Sequence, residues 1–273
     1  MRSPFGPAIA FVLLAASCGG PQVRPDHTPF TIEVGAAASL TTVLPEIAAA
    51  FEPGRNVTVR SEFAGTDAVA AQIEQGAPID VFLGASTKYG DQLSSEGLID
   101  PPVPFATNRL VLVVPASNPA AIGTVRDLTR PGVKLVIGSA TVPAGAYARA
   151  ALANLDATYG AGFDGKVLAN VVSEEPSVES VLSKVRLGEA DAGFVYVSDA
   201  MAAGSAVKAI DLPAEAQAVA VYPAAAIRSS AHLAEARAFV RFLVMEPAQA
   251  LLRRAGFGPP PASPPAASPS PGG

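Results

Sequence analysis

Tryptophan is absent from this 273-residue chain, cysteine occurs once and histidine twice. A single cysteine excludes a disulfide framework and a cysteine-built zinc or iron–sulfur site. The two histidines, His27 and His232, leave little material for imidazole-based catalysis. Charged residues make up only 16% of the chain, and 24 Asp and Glu outnumber 19 Lys and Arg, giving a net charge of −5. A chain without a basic field is no partner for nucleic acid. What is present is 49% hydrophobic residues, enough to bury the core of one large domain or two small ones.

The two ends read differently from the middle. One Arg precedes a short apolar run from Pro7 to Ser17, which is too short for a membrane-spanning helix and fits a secretory signal over residues 1–17. Cys18 follows the small residues that end this run and resembles the lipidated cysteine of a lipobox. Residues 18–29 then read as a polar, Pro-containing tether from a lipid anchor. Residues 259–273 are almost only Pro, Ala, Ser and Gly and read as a disordered or polyproline-like tail.

Between residues 30 and 258, short β-rich runs alternate with amphipathic helical runs. Strands are expected at 30–34, 57–63, 80–83, 109–115, 133–137, 167–172, 192–196 and 216–222. Ser39 opens a helical pattern with Leu40, Val43, Leu44, Ile47 and Phe51 on one face. Further helices are expected from Thr66 to Gly76 and over 88–96, 143–155, from Ser177, and over 198–203, 231–244 and 247–255. This alternation predicts an α/β fold with mainly parallel sheets. The long apolar strands near 109–114 and 217–222 interrupt it and read as crossings between two lobes. One lobe would be 30–108 plus 223–258, the other 109–222.

Helix starts carry the chemical signal, because their first N–H groups have no intrahelical partner and sit at the positive end of the dipole. Four such starts follow short strands and are built of small, hydroxyl, Gly or Pro residues: those around Ser39, Thr66, Ala144 and Val178. In parallel α/β sheets, ligands bind where strands end and such helices begin. Two starts fall in each lobe, so a cleft lined by amides and hydroxyls is expected between them. Taken singly, Ser39 and Thr66 are also ordinary N-cap residues, and Tyr196 is also an ordinary core tyrosine.

As an ordered set these segments are more specific. Ala36-Ala37-Ala38-Ser39-Leu40, Phe63-Ala64-Gly65-Thr66, Gly76-Ala77-Pro78-Ile79-Asp80-Val81-Phe82, Asn108-Arg109-Leu110-Val111, Val142-Pro143-Ala144-Gly145 and Gly193-Phe194-Val195-Tyr196-Val197-Ser198-Asp199-Ala200 closely resemble the molybdate-binding proteins of ABC importers. The resemblance runs in order over residues 30–258. It implies a two-lobed type II periplasmic binding protein fold with a ligand cleft between the lobes. It also implies that Ser39 and Thr66 donate from the first lobe, and the amides of Ala144 and Val178 and the Tyr196 hydroxyl from the second. A dianionic tetrahedral oxyanion only accepts hydrogen bonds, so a donor-only site suits it, and helix ends can hold it without Arg or Lys.

Three positions depart from the family. Asp67 stands where a hydroxyl residue is common and is expected to point out of the cleft, where it favours its helix N-terminus. Ser86 and Ser139 replace frequent aspartates at places expected to be peripheral. The resemblance implies a monomeric, lipid-anchored receptor outside the cytoplasm that delivers molybdate to an ABC permease, with no cofactor and no metal bound directly by the protein. Tungstate is nearly the same in size and charge. A receptor for another oxyanion such as sulfate is the alternative, and an enzyme or a signalling module on the same scaffold are the other classes weighed.

Overall fold

The computed structural model describes Met1 and residues 29–261. The signal segment, Cys18, almost all of the tether and the tail from residue 262 lie outside the described residues.

The chain begins with β1 (Phe30–Ala37), α1 (Leu44–Phe51), β2 (Val57–Ala64), α2 (Thr66–Glu74), β3 (Val81–Leu83) and α3 (Thr87–Ser95). β1 pairs with β2 on one side and β3 on the other, both parallel, as strands followed by packed helices require. β4 (Val103–Pro115) then runs through both halves of the molecule. The second half holds β5 (Leu135–Gly138), α4 (Pro143–Asn154), α5 (Asp156–Tyr159), α6 (Phe163–Leu168), β6 (Val171–Glu175), α7 (Val178–Arg186), β7 (Ala192–Tyr196), α8 (Val197–Ala203) and β8 (Val207–Asp211). β9 (Val219–Ala226) leads back, and α9 (Leu233–Leu243) and α10 (Glu246–Arg254) close on the first half.

β4 changes partners partway along its length. Residues 103–109 pair antiparallel with β9, whereas Leu110–Val113 pair with β7 and Val111–Pro115 with β8. The first sheet therefore runs β2-β1-β3-β9-β4, and the second is built on the other end of β4 with β8, β7, β5 and β6. Both β4 and β9 are longer or later than the apolar runs suggested. Pro104 and Pro223 are the reason: prolines cannot donate to a ladder, yet here they face each other beside a register shift, so neither removes a needed bond.

Three other local expectations are corrected. Ser39 does not open an α-helix; it lies in a 3-10 turn, Ala38–Leu40, and α1 starts at Leu44. Pro45 explains this, because a helix starting at Ser39 would bury it in its interior, whereas a start at Leu44 places it in the first turn. The strand expected at 167–172 lies at 171–175, and Val167 is buried in α6. β6 is polar (Val-Val-Ser-Glu-Glu), so the apolar pattern pointed upstream of it. β8, α5 and α6 carry no periodic signal of their own and were not expected. On the first half, Phe51 is held between α9 residues, with ring centroids 5.0 Å from Phe239 and 5.4 Å from Phe242.

Candidate functional site

The carboxyl ends of β1, β2, β5, β6 and β7 converge, and at or within a few residues of each stands one of the residues singled out above. Ser39 follows β1 and Thr66 follows β2. Ala144 sits just past β5, Val178 just past β6, and Tyr196 ends β7. The structure brings all five together as walls of one small cavity between the two halves. The rest of its lining is small or apolar, chiefly Ala37, Ala38, Gly65 and Pro143, and none of its described lining residues is charged.

The donors differ in kind. Thr66 is the first residue of α2, after Gly65 at the N-cap, and Val178 is the first of α7, after Ser177. Ala144 is second in α4, behind Pro143. The N–H groups at these positions have no partner within their own helices and carry the positive ends of three dipoles. The Ala85 N–H donates to Thr66 Oγ1 at 3.1 Å. A main-chain N–H can only donate, so the Thr66 hydroxyl keeps its proton for another acceptor. Ser39 Oγ lies 2.8 Å from the Tyr222 hydroxyl.

Tyr196 is 1% exposed, and its hydroxyl has no hydrogen-bond partner among the described residues. A buried polar group left unpaired costs about 1–3 kcal/mol, so an orphan donor aimed into a cavity implies an acceptor there. Burial, with the neighbouring Tyr222, Tyr147 and Asp199, holds this phenol well above the ordinary tyrosine range, so it keeps its proton and acts as a donor. Behind it, the carboxylate of Asp199 accepts from the Tyr196 N–H at 2.9 Å. Burial first, then Glu179, raises the Asp199 pKa to about 7, against the lowering effect of that N–H.

Asp67 does not line the cavity. One of its oxygens accepts from the Thr141 hydroxyl at 2.7 Å, and Thr141 also contacts Ser139 at 3.2 Å. Ser86 caps α3, its hydroxyl accepting from the Lys88 N–H at 3.3 Å. Ser86 and Ser139 thus stand around the cleft and not in the cavity wall. Sequence reasoning missed the residues behind Ser39. The Asn108 amide donates to Ser198 Oγ at 2.8 Å and acts to lower the Tyr222 pKa against the effect of burial. Asn108 and Tyr222 are buried polar residues in apolar strands, which was the available signal. Of the two histidines, His27 lies outside the described residues and His232 stacks on Phe30 at 4.9 Å, far along the sheet from this cavity.

Two α/β lobes joined by paired crossing strands, with a small cavity between strand ends, define a type II periplasmic binding protein. The chain belongs to the bacterial extracellular solute-binding proteins, whose family profile matches residues 32–258. It is 39% identical to the molybdate-binding protein ModA of Mycobacterium tuberculosis over 84% of this chain and 85% of that one. The periplasmic molybdate-binding protein of Azotobacter vinelandii superposes with a TM-score of 0.72 at 26% identity, over 84% of this chain and 99% of that one. The sulfate-binding protein SubI of M. tuberculosis shares the fold, with a TM-score of 0.75 at 23% identity over 84% of this chain and 87% of that one.

Proposed function

We propose that this protein captures molybdate outside the cytoplasm and hands it to the permease of an ABC importer. The observation that carries this reading is the unpaired Tyr196 hydroxyl, buried in a cavity whose other polar groups are hydroxyls and helix-start amides. Such a site offers donors and no obligatory acceptor, which matches a fully deprotonated tetrahedral dianion. In this reading Ser39 and Thr66 bind from one lobe and Ala144, Val178 and Tyr196 from the other. The lobes are 30–108 plus 223–258 and 109–222, with the change of partners in β4 supporting the first crossing. The ligand is cargo and no cofactor is needed; the site lacks the nucleophile, base and orienting group of an enzyme.

The likeness to the molybdate-binding proteins favours molybdate over sulfate, and cavity size does the selecting because the donors serve either anion equally. Tungstate fits the same site. Cys18 supplies the lipid anchor, with the residues after it as tether, and the receptor works as a monomer at the outer face of the cytoplasmic membrane. Native mass spectrometry of the mature protein with molybdate, tungstate, sulfate and phosphate in competition tests the reading. A single bound molybdate or tungstate is expected; preferential retention of sulfate would replace molybdate as the ligand.

A further inference from the structure

The bond between Ser39 and Tyr222 can run in either direction as far as the two oxygens are concerned. Which way it runs matters to the ligand. If Tyr222 donates, Ser39 keeps its proton for the cavity. If Ser39 donates, it turns a lone pair toward the cavity, which a dianion repels.

The direction is fixed from further back. The Arg109 main-chain N–H donates to Asn108 Oδ1 at 2.9 Å. A main-chain N–H cannot accept, so this bond settles which end of the Asn108 amide is oxygen and which is nitrogen. The nitrogen end faces two hydroxyls. It donates to Ser198 Oγ at 2.8 Å, and it acts to lower the Tyr222 pKa against the effect of burial, as a neighbouring donor does. Tyr222 is fully buried and Ser39 lies 2.8 Å from its oxygen, so a Tyr222 proton not given to Ser39 would be left buried and unpaired. All of these groups except the Arg109 side chain are buried, so no water competes for the order.

Resting on the molybdate reading above, we infer that Tyr222 and, beside it, Asn108 are positioning residues: the buried Tyr222 hydroxyl donates to Ser39 and holds the Ser39 hydroxyl as a donor toward the anion, while the Asn108 amide, fixed by the Arg109 N–H, turns its nitrogen end to Tyr222. Neither residue touches the cavity. Both lie on the crossing strands, Asn108 on β4 and Tyr222 on β9. Each contributes through Ser39, and together they exclude ligands that need an acceptor at that wall, such as a protonated oxyanion.

A double-mutant cycle on the mature protein, titrated with molybdate by calorimetry, tests this. Tyr222→Phe frees the Ser39 hydroxyl among about three staggered positions, so affinity falls about three- to tenfold. In a Ser39→Ala background the same substitution has no effect, because nothing remains to be oriented. Asn108→Asp replaces the donor with an acceptor and reverses the bond between Tyr222 and Ser39. It costs at least as much as Ser39→Ala, about 10- to 150-fold, and most of that cost vanishes once Tyr222 is Phe. Thermal melting and circular dichroism of each ligand-free variant confirm folding.

Additive losses from Tyr222→Phe and Ser39→Ala, or an Asn108→Asp loss equal in both backgrounds, would overturn the inference in favour of packing or simple charge repulsion. If the wild type binds no molybdate, the ligand reading fails on its own. The direction of the bond is then read without ligand, from the Tyr222 hydroxyl proton in tyrosine-labelled protein by NMR. A cross-peak from that proton to the Ser39 β-protons supports the inference, and one to Asn108 in its place contradicts it.

Discussion

Asp67 and Thr141 meet across the cleft, the Thr141 hydroxyl donating to a carboxylate oxygen of Asp67 at 2.7 Å. Asp67 belongs to the first turn of α2 and Thr141 to the loop before α4, so the bond joins the two lobes. The Tyr89 hydroxyl adds a second bond to the Thr141 carbonyl at 2.6 Å. One Asp67 oxygen is thereby engaged in linking the two lobes, while its Oδ1 stays buried without a hydrogen-bond partner among the described residues. Closing around the ligand is the movement such a hinge allows.

Thr141→Val removes the hydroxyl and keeps the side-chain shape. A net hydrogen bond is worth about 0.5–1.5 kcal/mol, so molybdate affinity falls about two- to tenfold. The loss appears in the dissociation rate, since the bond exists only after closure. Release of radiolabelled molybdate into excess cold ligand measures it; an unchanged release rate would remove the bond from the closed state.

Gly65 is required by closure and not by its own backbone, whose φ of −58° suits any residue. A Cβ there would lie 2.6 Å from the Pro176 carbonyl oxygen of the opposite lobe and 2.5 Å from Asp67 Oδ1 of its own helix, a side chain that can turn aside where the carbonyl cannot. Gly65→Ala should therefore leave ligand-free melting close to wild type and weaken molybdate binding by more than about tenfold. Small-angle scattering should show no compaction on adding molybdate to the variant, where the wild type compacts.

Neutral donors should matter more than cations. Hydrogen bonds to charged groups are worth about 1.5–3 kcal/mol, so Ser39→Ala and Tyr196→Phe each weaken binding by about 10- to 150-fold. Tyr196→Phe also leaves ligand-free stability at or above wild type, because it removes a buried hydroxyl without a partner. Arg109 and Arg186 are exposed and absent from the cavity wall. Their replacement by Gln changes affinity by less than about tenfold, from long-range charge alone. Calorimetry at two ionic strengths measures all four variants.

Asp199 predicts a pH dependence. Burial raises its pKa to about 7 from 3.8. A carboxyl whose folded pKa is raised contributes stability that is fully present below the unfolded value and is lost as pH rises through the folded one. The loss attributable to Asp199 therefore falls between about pH 4 and pH 7. Asp199→Asn can still accept from the Tyr196 N–H and should gain in melting temperature over wild type from pH 5 to pH 8. An anion bound nearby raises this pKa further. Molybdate binding should weaken as pH rises through and above 7 and take up protons over that same range, measured by calorimetry in buffers of different ionisation enthalpy.

The strand–helix alternation was legible because most elements bury one apolar face, as in β1, α7 and β7. Where burial and periodicity part, the sequence was silent: β6 is a polar edge strand and β8 a mostly exposed one. Ser39, Thr66, Ala144 and Val178 were legible as helix starts within an ordered resemblance, and Tyr196 through the resemblance alone. For Ser39 the position was right and the local structure wrong, since Pro45 moves the helix start to Leu44. Asn108 and Tyr222 were hidden because each reads as one more residue of an apolar strand. Only the three-dimensional pairing of β4 with β9 sets them behind Ser39.

The central claim is that a tetrahedral dianion sits between the lobes on neutral donors alone. Anomalous diffraction from crystals of the mature protein grown with molybdate tests it most directly. The account predicts one molybdenum peak in the cavity, with oxygens about 2.7–3.1 Å from the hydroxyls of Ser39, Thr66 and Tyr196 and the amides of Ala144 and Val178. A peak elsewhere, or one whose oxygens contact an Arg or Lys, would contradict it.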